Sequence, residues 1–251
     1  MSVRVECPSG LIVNLRRFKL ADKDLMASKR THRLGATTVL LRELTESIEE
    51  PGPYGLSEDG NLDWDDVLQG DRTAALLTNR IETWGDEMIA KRKCQSPSCN
   101  ERIVMEYSLQ DLEIRKLPKT SLPHVSDPDR TPLKTTLPSG AVVSFRLIRG
   151  GDEKKLKKLK KNNRDNLATA FMHYRVVEVA GVEKSKLRAW LANMDGRDDV
   201  FLEHAMDEAG CGVDTEVVFE CPDCDYEWEE DVELGEDFLF PAYRGRSSTK
   251  K

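Results

Sequence analysis

The chain has 251 residues, of which 39% are hydrophobic and 33% are charged, a composition typical of a globular protein with a substantial hydrophobic core. No apolar run approaches the roughly 20 residues of a membrane-spanning helix, and the first ten residues lack the apolar segment of a signal peptide. The formal net charge of -7 argues against a general affinity for nucleic-acid phosphates, and six cysteines are too few for a disulfide scaffold. We therefore expect an intracellular protein whose clustered cysteines bind a metal as thiolates.

The first half of the chain is predicted to form a hairpin, a helical segment and a second hairpin. Alternating apolar and polar residues predict strands at 3–6, 11–18, 87–93 and 101–107. Apolar residues at helical spacing predict helices at 25–29, capped by Asp22 or Asp24, at 36–48, and from Asp71 to Gly85. Pro8-Ser9-Gly10 provides the turn of the first hairpin, and Cys94 and Cys99 lie between the strands of the second.

The second half is predicted to follow the same order, after a proline-rich linker at 118–132. Its predicted strands lie at 133–137, 142–147, 215–220 and 227–232. Its predicted helices lie at 152–161, 166–179, 184–192 and 198–209. Residues 243–251, with the sequence YRGRSSTKK, are expected to form a short disordered basic tail because they offer nothing that would pack against a core.

Two groups of residues recur in the same order in both halves. Pro8-Ser9-Gly10 and Pro138-Ser139-Gly140 each precede a predicted strand, and their offset in residue number is 138 − 8 = 130. Gly85 and Gly212 each lie nine residues before a cysteine, and their offset in residue number is 212 − 85 = 127. Similar offsets in one order indicate an internal duplication with small deletions. The prediction is an α+β fold of two repeats, each with a β-hairpin, a helical segment and a zinc-ribbon-like β-knuckle, at 1–117 and 133–242.

Four of the six cysteines form two closely spaced pairs, one in each half. Cys94 and Cys99 are separated by four residues and Cys221 and Cys224 by two, and both pairs lie between predicted strands. Zinc prefers four ligands in a tetrahedron, and neither pair supplies four by itself. The duplication therefore predicts one structural Zn²⁺ site, bound by all four of these cysteines, that joins the two halves. The alternatives are reduced thiols of a degraded site and a redox disulfide.

The remaining candidate features favour structural roles. Cys7 and Cys211 have no partner at knuckle spacing and are expected to be small, partly buried residues. Lys154–Lys161 is interpreted as a solvated helix whose two leucines face the core, with an acidic partner or a nucleic-acid backbone as the alternative. Asp63–Asp66 is predicted to be a surface turn anchored by a buried Trp rather than a carboxylate metal site. Phe238–Pro241 either closes the core or forms part of a partner surface.

A set of motifs extends along nearly the whole chain. It comprises the strand-PSG-strand opening, a GDR-type turn at Gly70-Asp71-Arg72, the sequence CGVD followed by ECPDC, and FLFP near the end. Together these motifs resemble the T-even-type baseplate protein family of contractile-tailed bacteriophages, from which the chain departs by its wider first cysteine pair. The resemblance implies a non-enzymatic component or assembly factor of the baseplate hub. It further implies other baseplate or hub proteins as partners, a location in the host cytoplasm or the tail baseplate, and a purely structural role for the four paired cysteines.

The alternative function is that of a cytoplasmic zinc-ribbon protein that binds nucleic acid or the transcription machinery. Against it stands the local charge, because the second cysteine pair is surrounded by Glu220, Asp223, Asp225, Glu227, Glu229 and Glu230, which would repel phosphates. A metal-dependent hydrolase would need ligands beyond the cysteines, since four bound thiolates leave no open coordination position. No nucleophile-elbow, P-loop or dinucleotide-binding motif is found either, so we expect no enzymatic activity.

Overall fold

The computed structural model describes residues 2–28, 31, 35–99, 101–232 and 236–241, and the predicted tail at 243–251 lies outside these ranges. Within them the fold combines α-helices with five antiparallel sheets of two or three strands. This confirms the predicted mixture of helices and small antiparallel sheets. No helix in the described ranges is long and apolar enough to cross a bilayer.

The first half begins with a three-stranded sheet of order β1-β2-β3, and β4 pairs with β5 further along the chain. Its strands are β1 (Ser2–Glu6), β2 (Ile12–Arg16), β3 (Thr45–Glu50), β4 (Glu87–Lys93), β5 (Arg102–Ser108) and β6 (Ile114–Arg115). Its helices are α1 (Leu20–Ala27), α2 (Ala36–Leu44), α3 (Gln69–Trp84) and α4 (Leu122–Ser126).

The second half begins with a three-stranded sheet of order β7-β8-β9, and β11 pairs with β12 further along the chain. Its strands are β7 (Leu133–Thr136), β8 (Val142–Phe145), β9 (Val176–Val179), β10 (Gly212–Val213), β11 (Glu216–Glu220) and β12 (Glu227–Asp231). Its helices are α5 (Glu153–Asn162), α6 (Leu167–Arg175), α7 (Leu187–Ala192), α8 (Gly196–Glu208) and α9 (Glu236–Leu239).

Two helices end earlier than the sequence predicts, because a strand directly follows each of them. The helix predicted at 36–48 ends at Leu44, where β3 begins, and the helix predicted at 166–179 ends at Arg175, where β9 begins. β3 and β9 pair with β2 and β8, which lie far away in the sequence. This long-range pairing prevails over the apolar periodicity, which continues from each helix into the following strand.

Smaller differences concern the starts and faces of helices. α1 begins at Leu20 rather than at 25, and Asp22 lies inside its first turn, where the carboxylate accepts a hydrogen bond from the Lys19 backbone N–H at 2.7 Å. Gly70-Asp71-Arg72 lies in the first turn of α3 rather than in a separate turn. Leu156 and Leu159 on α5 are half-buried whereas the lysines between them are exposed, and among the described residues the two leucines belong to none of the hydrophobic clusters.

The largest hydrophobic cluster contains residues from both halves of the chain. The first half contributes the inner faces of β1 and β2, the buried side of α2 and the fully buried Trp64, and the second half contributes Val232 and the segment Phe238–Phe240. The Phe18 and Phe240 rings pack edge to face, with 5.4 Å between their centroids. Core closure by the FLFP segment and the buried Trp anchor of the Asp63–Asp66 turn are therefore both confirmed. A separate cluster under β8 belongs to the second half alone.

Backbone pairing also joins the two halves. The segment 65–69 runs beside 148–151, with hydrogen bonds from the N–H of Gln69 to the Ile148 carbonyl at 3.0 Å and from the N–H of Gly150 to the Val67 carbonyl at 2.9 Å. β6 pairs with β10. Within the stretch predicted as a linker, 118–132, Val125 of α4 is buried in the shared core. The two halves are thus joined by backbone hydrogen bonds and by packing at several places along the chain.

A buried aspartate lies where the two halves meet. Asp71, in the first turn of α3, accepts hydrogen bonds from the Ser9 backbone N–H at 2.9 Å, from the Tyr54 hydroxyl, and from the Cys211 thiol at 3.7 Å. The Cys7 thiol donates to the Asp71 backbone carbonyl at 3.7 Å. Both cysteines outside the two pairs therefore contact Asp71, and Cys7 is buried whereas Cys211 is half-buried. The hydrogen bonds of the buried Asp71 thus connect α3 to the first hairpin and to the residue before β10.

Thr45→Val is expected to lower the free energy of unfolding by about 1 kcal/mol. The Trp64 indole N–H donates to the Thr45 hydroxyl at 3.0 Å in a partly buried setting, and valine keeps the shape of threonine but offers no acceptor. Urea denaturation measures the change. Thr136→Val, at an exposed position of β7, is the matched control and should leave the stability unchanged; equal losses in both variants would contradict the role assigned to Trp64.

Candidate metal centre

Each cysteine pair lies in the turn of a β-hairpin. Cys94 directly follows β4 and Cys221 directly follows β11, whereas Cys99 and Cys224 stand shortly before β5 and β12. In each hairpin the first cysteine closes the turn through its backbone N–H. Cys94 donates to the Glu101 carbonyl at 2.9 Å, and Cys221 donates to the Tyr226 carbonyl at 3.0 Å. The two turns thus present their first cysteines in the same way.

A small hydrophobic core packs the two hairpins against each other. It contains Ala90 and Ile103 from the first hairpin, Phe219 and Trp228 from the second, and the buried cysteines Cys94 and Cys221. The Phe219 and Trp228 rings stack with 5.7 Å between their centroids. An ion pair between Arg92 and Glu230 also joins the hairpins. Packing through these inner faces brings the two turns together.

The four thiols form one compact cluster. The sulfur atoms of Cys94 and Cys224 are 3.7 Å apart, those of Cys99 and Cys221 are 3.9 Å apart, and all four lie within 4.8 Å of one another. A tetrahedral site with Zn–S bonds of about 2.3 Å has sulfur atoms about 3.8 Å apart. The separations also exceed the S–S bond of a disulfide, about 2.05 Å. The arrangement therefore has the dimensions of a four-thiolate metal site.

The environment of the cluster shifts the pKa values of its thiols in opposite directions. Burial, together with the neighbouring thiols, raises the pKa of Cys94 to about 12, although the Ser96 backbone N–H donates to its sulfur at 3.4 Å and opposes this. The Asp223 backbone N–H lowers the pKa of Cys221. Metal binding would deprotonate the coordinating thiols, so metal affinity at this cluster is expected to depend on pH.

The sequence singled out the four clustered cysteines and the structure brings all four together. Among the described residues they form the one group of histidine, cysteine and carboxylate side chains that could hold a metal ion. The acidic turn at Asp63–Asp66 is not part of such a group. The buried contacts of Asp71 were missed, although a carboxylate beside a glycine at a helix start gave a local signal; its partners Ser9, Tyr54 and Cys211 are too distant in sequence to be inferred.

Comparison of the chain with protein-family models, with curated proteins and with solved structures finds no match.

Proposed function

We propose that the two halves descend from one duplicated unit. Two sets of equivalent contacts support this. In the first half, Arg16 on β2 pairs with Asp22, whose carboxylate also accepts from the Lys19 N–H. In the second half, Arg146 pairs with Asp152, whose carboxylate also accepts from the Arg149 N–H. The offset between the two arginines in residue number, 146 − 16 = 130, is the offset of the two PSG turns.

The second set of equivalent contacts lies at these turns. The Ser9 N–H donates to Asp71 in the first turn of α3, and the Ser139 N–H donates to Asp198 in the first turn of α8 at 3.1 Å. The offset between these aspartates in residue number, 198 − 71 = 127, equals that between Cys94 and Cys221. Buried polar contacts of one type at matched positions are expected from duplication, because each half keeps the contacts that its fold requires.

The cysteine cluster is proposed to bind one structural Zn²⁺ between two zinc-ribbon-like knuckles. The observation that carries this proposal is the convergence of two thiols from each hairpin at tetrahedral spacing. Thiolate ligands favour zinc among the common divalent ions. The ion would be bound by all four cysteines and would leave no coordination position for water or substrate, so its role would be to stabilise the fold.

A protein of this construction suits a function in assembly rather than in catalysis. We propose that it acts as a structural component or assembly factor of the baseplate hub of a contractile-tailed bacteriophage. The support is the resemblance, together with the positions of its motifs. Asp71, Gly70, Cys211 and the FLFP segment all lie at the junction of the halves, where a Cβ atom on Gly70 would come within 1.9 Å of the Cys211 carbonyl oxygen. These motif residues thus lie where the two halves meet.

Deletion of the gene from a contractile-tailed phage that encodes this chain is expected to abolish infectious particles. Electron microscopy of the lysates should then show heads without complete tails. Wild-type protein supplied in trans should restore infectivity. Cys211→Ser should restore it as well, since Cys211 lies outside the metal cluster and a serine hydroxyl can still donate to Asp71, whereas Cys221→Ser should not.

Two results would contradict this proposal. A deletion phage that still assembles complete tails would remove the assembly role. Retention of the purified protein on DNA-cellulose that falls with rising salt would favour the nucleic-acid-binding alternative, because release of counterions makes phosphate binding strongly salt-dependent.

A further inference from the structure

The outer faces of the two metal-site hairpins carry opposite charges. Since side chains alternate along a strand, every second residue of β4, β5, β11 and β12 points away from the small core that they share. Next to the turn, the first hairpin exposes the basic patch, Lys91, Lys93, Arg102 and Val104. At the equivalent positions the second hairpin exposes the acidic patch, Val218, Glu220, Glu227 and Glu229.

Each patch places like charges directly opposite each other across its two strands. Lys93 faces Arg102 in the basic patch, and Glu220 faces Glu227 in the acidic patch. Directly opposed like charges destabilise a hairpin. Within the described residues, none of the six charged side chains of the two patches forms an ion pair. Among the residues that the structure describes, both patches therefore lack a counter-charge.

Repulsion extends along the outer face of the second hairpin. The neighbouring carboxylate of Glu229 raises the pKa of Glu216 above the ordinary value of a glutamate. The far end of the first hairpin differs, because Glu87 and Glu106 lie there on the outer face. The match of opposite charges is thus confined to the ends of the hairpins near the cysteines.

An exposed valine lies inside each patch. Val104 is 61% exposed in the basic patch and Val218 is 57% exposed in the acidic patch. Each patch therefore presents three charges of one sign around one apolar side chain. Two such surfaces fit together, because contact neutralises the opposed like charges and removes both valines from water.

The two patches of one molecule cannot meet. The hairpins pack through their inner faces, so that the outer faces point away from each other on opposite sides of the pair. We propose that the basic patch of one copy docks on the acidic patch of a second copy of this chain. Such a contact is heterologous, and a dimer formed by it has one free patch at each end. Further copies can therefore add head to tail, which gives an open chain or a closed ring.

The patches are small, and this sets the expected strength of the contact. They cover less than the roughly 800 Å² per partner of a standard stable interface. We therefore expect weak self-association that depends on protein concentration and decreases with salt, because exposed charges are screened over about 10 Å at 0.1 M ionic strength. This inference is independent of the baseplate proposal, since it concerns the purified protein alone.

Sedimentation velocity of the full chain in low salt tests the proposal. The protein concentration is raised to about 1 mM, because an interface smaller than the standard size is expected to be weak. The wild type is expected to form dimers and larger species that dissociate when NaCl is raised to about 0.5 M. Lys93→Glu with Arg102→Glu, and separately Glu220→Lys with Glu227→Lys, should each weaken self-association by at least about tenfold. An equimolar mixture of the two double variants should associate again, because each then offers a patch of opposite sign to the other.

Lys155→Glu with Lys158→Glu on α5 is the matched control, since it reverses two exposed lysines outside the patches and should leave self-association intact. Metal content and thermal melting identify any variant that fails to fold. A wild type that stays monomeric in low salt would overturn the proposal, and so would equal loss in the α5 control or no recovery in the mixture. Binding of duplex DNA through Lys93 and Arg102 without self-association would assign the basic patch to another partner and would also overturn it.

Discussion

Cys221→Ser is expected to release the metal from the four-cysteine site and to destabilise both halves of the protein. The reason is that the cluster takes two thiols from each hairpin, so the loss of one ligand weakens the link between them. Structural zinc contributes apparent binding free energies on the order of 10 kcal/mol, whereas whole domains are stable by only about 5–15 kcal/mol. The small core around Phe219 and Trp228 is therefore expected to unfold without the ion.

Elemental analysis and hydrogen exchange measure this outcome. The wild type should contain about one zinc per chain, as one four-thiolate site requires, and a chelator should lower its melting temperature. Cys221→Ser and Cys94→Ser should both lack zinc, and amide protection should fall in β4–β5 as well as in β11–β12. Cys211→Ser is the matched control, because Cys211 lies outside the cluster and a serine hydroxyl can still donate to Asp71.

Two outcomes distinguish the shared site from its alternatives. Loss of protection in the second hairpin alone would show that the first pair does not share the ion. Absence of metal in the wild type, with no effect of the chelator, would mean that the cysteines persist as reduced thiols. In that case the packed hairpins would remain, but the proposed stabilising role of zinc would not.

Asp71→Ala is expected to lower the free energy of unfolding by about 3 kcal/mol, because two buried donors lose their acceptor at about 1–3 kcal/mol each. These donors are the Ser9 backbone N–H and the Tyr54 hydroxyl. Asp198→Ala is the matched control in the second half. Asp198 accepts a hydrogen bond from the Ser139 backbone N–H at the equivalent turn, so its replacement is expected to cost about 1 kcal/mol.

The pH dependence separates the charge of Asp71 from its hydrogen bonds. Burial raises the pKa of the Asp71 carboxyl above the ordinary value, so the folded protein binds this proton more tightly than the unfolded chain does. Its contribution to stability is therefore complete below the unfolded pKa of about 4 and is lost as the pH rises through the folded-state pKa. Asp71→Asn retains an acceptor oxygen and does not titrate, so its stability relative to the wild type should increase as the pH rises through that window.

Urea denaturation of the wild type, Asp71→Asn and Asp71→Ala between acidic and neutral pH measures both effects. Asp71→Asn should be at least as stable as the wild type at neutral pH, and Asp71→Ala should be the least stable of the three. An Asp71→Asn variant whose stability relative to the wild type does not change with pH would show that the buried carboxyl does not titrate in this range. Equal losses for Asp71→Ala and Asp198→Ala would contradict the special role of the junction.

Most element types followed from local patterns, and the errors have one common cause. Neighbouring residues determine the turns at Ser9 and Ser139 and the end of α3 at Gly85. These features could therefore be predicted from short stretches of sequence. The strands β3 and β9 were assigned to helices because their partners β2 and β8 are distant. Strand formation depends on the neighbouring strand more than on intrinsic preference, and a single sequence does not display that neighbour.

The four clustered cysteines could be identified as candidate ligands from their spacing, since two close pairs between predicted strands are a local and repeated signal. Their convergence could be expected only through the inferred duplication. The sulfur separations of 3.7 and 3.9 Å, by contrast, result from the packing of Phe219 and Trp228 against Ala90 and Ile103. The Asp71 contacts likewise depend on three separate segments that meet only in the folded chain.

Local patterns in the sequence predicted most strands and helices, the repeated order of motifs in the two halves, and the cysteines that are candidates for a metal site. These properties depend on residues close to one another, whose side-chain periodicity and turn chemistry act over a few positions. Three further properties are visible only in the folded chain: the halves share one core, Asp71 is buried at their junction, and the outer faces of the two hairpins carry opposite charges. Each of these depends on surfaces brought together from distant segments, where burial and pairing outweigh local preference.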